Sequence, residues 1–302
     1  MTAKTRRRRP ADEQSRTTAK ERLRCDIAIV GLGIAGLHQL TRQVEETIRR
    51  CTQVFVADTG TGMVEYLKSL GPDVVDLSTP DEARKHRVLS YRRMATEVVA
   101  AATAHAPVCF ATYGHPTMFC YPTTLIQRAA IVLDLKVEVL PGISFLDTLL
   151  CDLGVDPGFD GLQLYEATDL LVRRRPLQPD VACIITQAPM VANPYSHPGE
   201  RKLESLRLLQ DYLLAFYPPS HEVVLATSAP HPLLEPLIQP IALGALAAAL
   251  LPSTQLGTLF IPPTVHRPVA DEALADRMRL VPLTDRVPPR RPNRPPIGPE
   301  PP

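Results

Sequence analysis

Short runs of apolar, β-branched residues alternate with stretches of helical periodicity over the first half of the chain. CDIAIV (25–30) reads as a buried strand, 36–50 as a helix, QVFVAD (53–58) as a second strand and 62–70 as a short helix. VVDL (74–77) follows, then a long helix from about 82 to 104, a strand VCFATY (108–113), a helix from about 123 to 133 and a strand KVEVL (136–140). Strands separated by helices need crossover connections, which predicts α/β architecture with a largely parallel sheet. The expected N-terminal domain spans 25–158.

The second half has another texture. Fifteen prolines lie between Pro176 and Pro268, around strands ACIITQ (182–187), EVVLATS (222–228) and LGTLFIP (256–262) and helices at 199–216 and about 241–250. The run APHPLLEPLIQP (229–240) fits neither one long helix nor a central strand, because proline lacks the N–H that both require. A second α/β domain with a mixed sheet is expected over 159–270.

Composition changes this picture mainly at the ends. Residues 1–24 carry nine basic side chains against three acidic ones, and 281–302 include nine prolines. Neither end has hydrophobic periodicity, so 1–24 reads as a disordered basic tail and 271–302 as a disordered Pro/Arg-rich one. The net charge of +1 is therefore a sum of basic tails and an acidic body, which argues against a protein that binds nucleic acid over its whole surface. No stretch reaches the roughly 18 to 20 apolar residues that span a bilayer. Six cysteines without a CxxC pair read as buried reduced thiols rather than metal ligands or disulfides. A soluble, cytoplasmic protein is expected.

Candidate chemistry sits at the ends of strands. Gly31-Leu-Gly33-Ile34-Ala-Gly36 follows the first strand directly, and Asp58 ends the second. That spacing fits a dinucleotide fingerprint, in which glycines admit a pyrophosphate to a helix N-terminus and the acid holds a ribose hydroxyl. Tyr113-Gly114-His115-Pro116-Thr-Met-Phe119 ends the fourth strand, and Leu-Pro-Gly142-Ile-Ser144 ends the fifth. Loops at carboxyl ends of parallel strands open on one edge of the sheet, where such folds bind ligands. Taken singly, His115 is as well read as a loop histidine and Ser144 as a helix N-cap.

In this order, and followed by QLYEATDLL, ITQAP and TLFIPP, the motifs resemble the tetrapyrrole methylase superfamily, two-domain α/β enzymes that transfer a methyl group from S-adenosylmethionine in a cleft between the domains. The resemblance covers about 25–265. It implies S-adenosylmethionine contacts from Gly31, Gly33 and Ile34 in the first loop and from Tyr113, Gly114, His115, Pro116 and Phe119 in the second. Ser144 and Phe145 match the third loop, and Ala167 and Gln187 the second-domain side. The enzymes of corrin and siroheme synthesis usually carry Gly-Asp-Pro where this chain has His115. YGHP, LPGIS with Asp147 and YEATDLL are more similar to the borosin-type peptide backbone N-methyltransferases.

Those enzymes carry a tyrosine, arginine, tyrosine set on the helix before the fourth strand. Arg87 and Tyr91 align with the second and third members, and the first falls near Pro80 and Asp81. The two residues are four apart on one helix face, so the guanidinium is expected to lower the phenol pKa toward a usable base. The resemblance also implies a homodimer. With nine prolines, which have no N–H to methylate, 281–302 is a poor methyl acceptor, so a peptide or small-molecule acceptor supplied in trans is expected. A nucleotide-dependent NAD(P) oxidoreductase built on the GLGIAG fingerprint and a non-catalytic scaffold that keeps the S-adenosylmethionine fold are the alternatives.

Overall fold

A computed structural model describes residues 23–57, 62–78, 85–195, 202–252 and 257–279. Asp58, positions 80 and 81, and most of both tails lie outside the described residues.

The first sheet holds β1 (Ile27–Gly31), β2 (Gln53–Ala57), β3 (Asp73–Asp76), β4 (Val108–Thr112) and β5 (Val137–Leu140) in the order β3-β2-β4-β1-β5. All its pairings are parallel, as the alternation predicts. β1 is buried throughout because it packs on both faces. Ala28 and Val30 join Val44 and Ile48 of α1 (Arg42–Ile48) and Met63 and Leu67 of α2 (Met63–Ser69). Ile27 and Ile29 join Val98 and Ala102 of α3 (Arg87–His105) and Ile126 of α4 (Tyr121–Val132). Burying each of the valine, leucine, isoleucine and methionine side chains among these stabilises the layers by about 1.5–3 kcal/mol.

α5 (Phe145–Leu153) follows β5, and a single turn, α6 (Pro157–Asp160), leads into the second sheet. That sheet contains β6 (Leu162–Glu166), β7 (Ala182–Thr186), β8 (Glu222–Thr227), β9 (Leu237–Ala242) and β10 (Thr258–Ile261), ordered β6-β7-β10-β8-β9. β6 and β7 are parallel and the other pairings antiparallel, so the sheet is mixed. One face is covered by α7 (Ala167–Arg173), α8 (Leu203–Leu214) and α9 (Leu246–Leu250). The other receives α5, whose Leu149 and Leu153 pack on Ala182, Ile184, Ala226 and Phe260. Ser228 Oγ also donates to Asp152 Oδ2 at 2.6 Å.

Four expectations change. The helix read over 36–50 is a 3-10 turn at Gly36–Gln39 followed by α1, whose start is fixed by the Thr41 side chain accepting from Val44 N–H. The helix read from about 241 begins only at 246, because residues 237–242 form β9. Pro240 is tolerated in β9 because that strand lies at the sheet edge. Glu272–Met278, within the stretch read as a disordered tail, forms helix α10, with Asp271 capping Leu274 N–H. Hydrophobic periodicity also left β6 and α7 unassigned, although their sequence lies inside the QLYEATDLL match.

The six cysteines are free thiols. Burial pushes Cys25 up to about 11 and Cys183 up to about 12, so neither forms a thiolate at neutral pH. Among the described residues no helix is long and apolar enough to cross a membrane.

Candidate active site

The loops after β1, β4 and β5 meet at one edge of the first sheet. Leu32 N–H donates to Thr112 O at 2.9 Å, and Gly33 and Gly114 exchange backbone hydrogen bonds of 3.3 and 3.0 Å as an isolated antiparallel bridge. Gly31 and Gly142 have no room for a side chain. A Cβ on Gly31 would lie 2.4 Å from Gly114 O and 2.7 Å from Gly142 N, all of it backbone. The glycines therefore serve contact between loops, and Gly33 and Gly114 further adopt φ of +79° and +68°, which favours glycine.

In the first loop two of the donors an anion would use are already engaged. Ile34 and Ala35 N–H, the groups a dinucleotide pyrophosphate would take, both donate to Gln39 Oε1, at 2.7 and 2.9 Å. No α-helix opens at Gly36 to add its dipole. Gln39, which sequence reasoning missed, thus removes the geometric basis of the dinucleotide reading. Ile34 itself is buried, close beside Gly114.

In the second loop, His115 Nδ1 accepts from Thr117 N–H at 3.2 Å and lies 3.1 Å from Thr117 Oγ1. A ring nitrogen accepting from the backbone two residues on does what an aspartate does in an Asx turn, which accounts physically for histidine at the Gly-Asp-Pro position. Pro116 is buried and its carbonyl accepts from Thr123 Oγ1 at 2.6 Å. Tyr113 and Phe119 are exposed, and the Phe119 ring lies 6.1 Å from that of Phe145.

Ser144 is the N-cap of α5 in a reciprocal box. Its N–H and its hydroxyl both donate to Asp147 Oδ2 at 2.7 Å, while Asp147 N–H donates to Ser144 Oγ at 3.3 Å. The hydroxyl is therefore committed to the helix, and Phe145 is the side chain of this pair that remains half-exposed.

The start of α3 is tied to the second domain. Arg87 N–H donates to Pro194 O at 2.9 Å, and Arg87 Nη1 reaches Gln187 Oε1 at 3.4 Å. Gln187 directly follows β7 in a left-handed conformation, φ 55°. Ala167 is fully buried as the first residue of α7, next to Glu166. Tyr91 is half-buried one turn along from Arg87, with its ring edge-on to Tyr121 at 6.2 Å.

Burial pushes the Tyr91 phenol above its usual value. Arg87 pulls it down, and the Cys120 and Glu166 charges push it up again. The expectation that Arg87 makes Tyr91 a ready base is thus corrected, because desolvation outweighs the guanidinium. Glu166 was also overlooked, although the YEATDLL match contains it.

Comparison with known proteins places these features in a family. The Tetrapyrrole (Corrin/Porphyrin) Methylases match residues 26–229. A methyltransferase and ribosomally synthesized type III borosin cyclic peptide precursor of Anomoporia bombycina is 29% identical over 254 residues, which are 82% of this chain and 29% of that protein. The corresponding type I precursor of Serendipita vermifera subsp. bescii is 31% identical over 245 residues, 80% of this chain and 59% of its own length. The chain thus spans less than two thirds of the length of these relatives. Among solved structures, the methyltransferase CobJ matches 81% of this chain and 96% of its own with a TM-score of 0.59 at 16% identity. Uroporphyrin-III-C-methyltransferase from Thermus thermophilus matches 87% of this chain and all of its own, at 0.56 and 16%. At that identity the likeness is one of fold.

Proposed function

Because this chain belongs to the tetrapyrrole (corrin/porphyrin) methylases, we propose that it transfers methyl groups from S-adenosylmethionine to backbone amide nitrogens of a peptide supplied in trans. The observation that carries the peptide reading is the contact of Arg87 with Gln187, one helical turn from Tyr91, together with relatives named as peptide precursors. The chain acts as a homodimer in this reading, and the reaction is cytoplasmic.

The residues suit this cofactor better than a dinucleotide. The three loops carry no lysine or arginine, and Gln39 occupies the N–H groups a phosphate would need. Gly31, Gly33, Ile34, Gly114, His115, Pro116, Ser144, Ala167 and Gln187 would shape the pocket, with Tyr113, Phe119 and Phe145 offering aromatic faces to an adenine and a sulfonium. When bound, S-adenosylmethionine supplies an electrophilic methyl group for direct displacement. The chain's own contribution is alignment and exclusion of water. Arg87 is placed to hold a peptide carbonyl and Tyr91 to orient the neighbouring amide N–H. Within 281–302 nine positions are proline, which offers no N–H, so this stretch is itself a poor acceptor.

Incubation of the full chain with S-adenosylmethionine carrying a deuterated methyl group and a pool of proline-free synthetic peptides tests this. Labelled methyl groups on peptide backbone nitrogens, located by fragmentation mass spectrometry, are expected. Label on uroporphyrinogen III instead, offered in parallel, would replace the peptide with a tetrapyrrole.

A further inference from the structure

Glu166 ends β6 and caps α7. Its Oε2 accepts Asp169 N–H at 2.7 Å, whereas Oε1 is buried without a hydrogen-bond partner among the described residues. A cap needs one acceptor oxygen, so the second is not explained by the helix. Leaving a buried carboxylate oxygen unpaired is costly, so this oxygen calls for a donor that the described residues do not supply.

The position of this oxygen is set by strand register. β6 and β7 are parallel with Glu166 opposite Thr186, so Glu166 stands beside the strand end that continues into Gln187. Gln187 receives Arg87, and the Glu166 charge acts on Tyr91, one turn along the same helix. Arg87, Cys120 and Glu166 are the charged or titratable groups that act on Tyr91, and Glu166 alone comes from the second domain. Tyr91 stays protonated at neutral pH, which leaves the site in need of another proton acceptor.

We propose that Glu166 Oε1 receives the proton of the nitrogen that is methylated. The inference rests on the methyltransferase reading and adds a residue to it. The acceptor nitrogen forms its bond to the methyl carbon, the sulfonium sulfur keeps the electron pair of the bond that breaks, and the N–H proton passes to Oε1. An amide nitrogen becomes strongly acidic as that bond forms, so a carboxylate suffices and no phenolate is required. Tyr91 then acts as a positioning residue between Arg87 and the substrate.

Glu166→Gln retains a carbonyl oxygen for Asp169 N–H and nearly the same volume, but removes the charge and the proton acceptor. The variant is expected to melt with the wild type, to bind S-adenosylhomocysteine within threefold, and to methylate the peptide pool at least ~100-fold more slowly. Glu166→Ala with added formate is expected to recover part of the rate, which a residue that only caps a helix would not show. A readout free of turnover is the Tyr91 titration, followed by NMR of labelled tyrosine and assigned with Tyr91→Phe. It is expected to move to lower pH in Glu166→Gln, because a negative charge is lost. An unmoved titration, or a Glu166→Gln rate within threefold of an active wild type, overturns the proposal. A wild type that methylates no peptide defeats the peptide methyltransferase reading instead, and this inference falls with it.

Discussion

Gly31 shows how a residue can be legible in sequence for a reason the sequence hides. Its spacing from Gly33 and Gly36 suggests a chain making room for a phosphate. In the fold the room is taken by the backbone of Gly114 and Gly142, residues distant in sequence. Gly31→Ala must push those loops apart, and we expect it to cost about 1–3 kcal/mol or more and to abolish S-adenosylmethionine binding measured by isothermal titration calorimetry. An alanine variant with intact affinity would mean that the loops are free to separate. Tyr91 illustrates the opposite case. Its spacing from Arg87 is correctly read, yet the sign of its pKa shift is not, because burial, with the Tyr121 ring alongside, and the Glu166 charge from the second sheet are not visible along the helix that carries it.

At the level of elements, local chemistry decides boundaries that periodicity leaves open. Asp147, visible in the sequence as an acid three residues after Ser144, closes the capping box of α5. Ser144→Ala is expected to lower stability by about 1 kcal/mol, read as a shift of the denaturation midpoint at unchanged slope. A shift several times larger would assign the hydroxyl a role beyond the helix. Thr41 gives the start of α1 by the same logic, whereas an eye drawn to the glycines places it at Gly36. β9 is the harder case, because Pro236 and Pro240 argue against strand unless its edge position is known, and that position depends on pairing with β8.

At the scale of the molecule, alternation of strand and helix announces a parallel sheet, and the proline-rich half announces a mixed one. Strand order is not announced, since β1 between β4 and β5 reflects packing among distant segments. The same holds for α5, which follows the first sheet in the chain but buries Leu149 and Leu153 on the second. Leu149→Ala is expected to cost about 2–5 kcal/mol and, because α5 couples the halves, to lower the whole molecule's melting temperature in one calorimetric transition. A variant whose first half melts unchanged would show the halves to be independent.

The placement of α5 bears on how such enzymes can be recombined. A chimera that takes its second half from a relative, with the crossover after Leu153, would pair a foreign sheet with a helix shaped for the original one. Moving the crossover into the loop before Ser144 transfers the helix together with the surface it fits, and leaves the capping box whole.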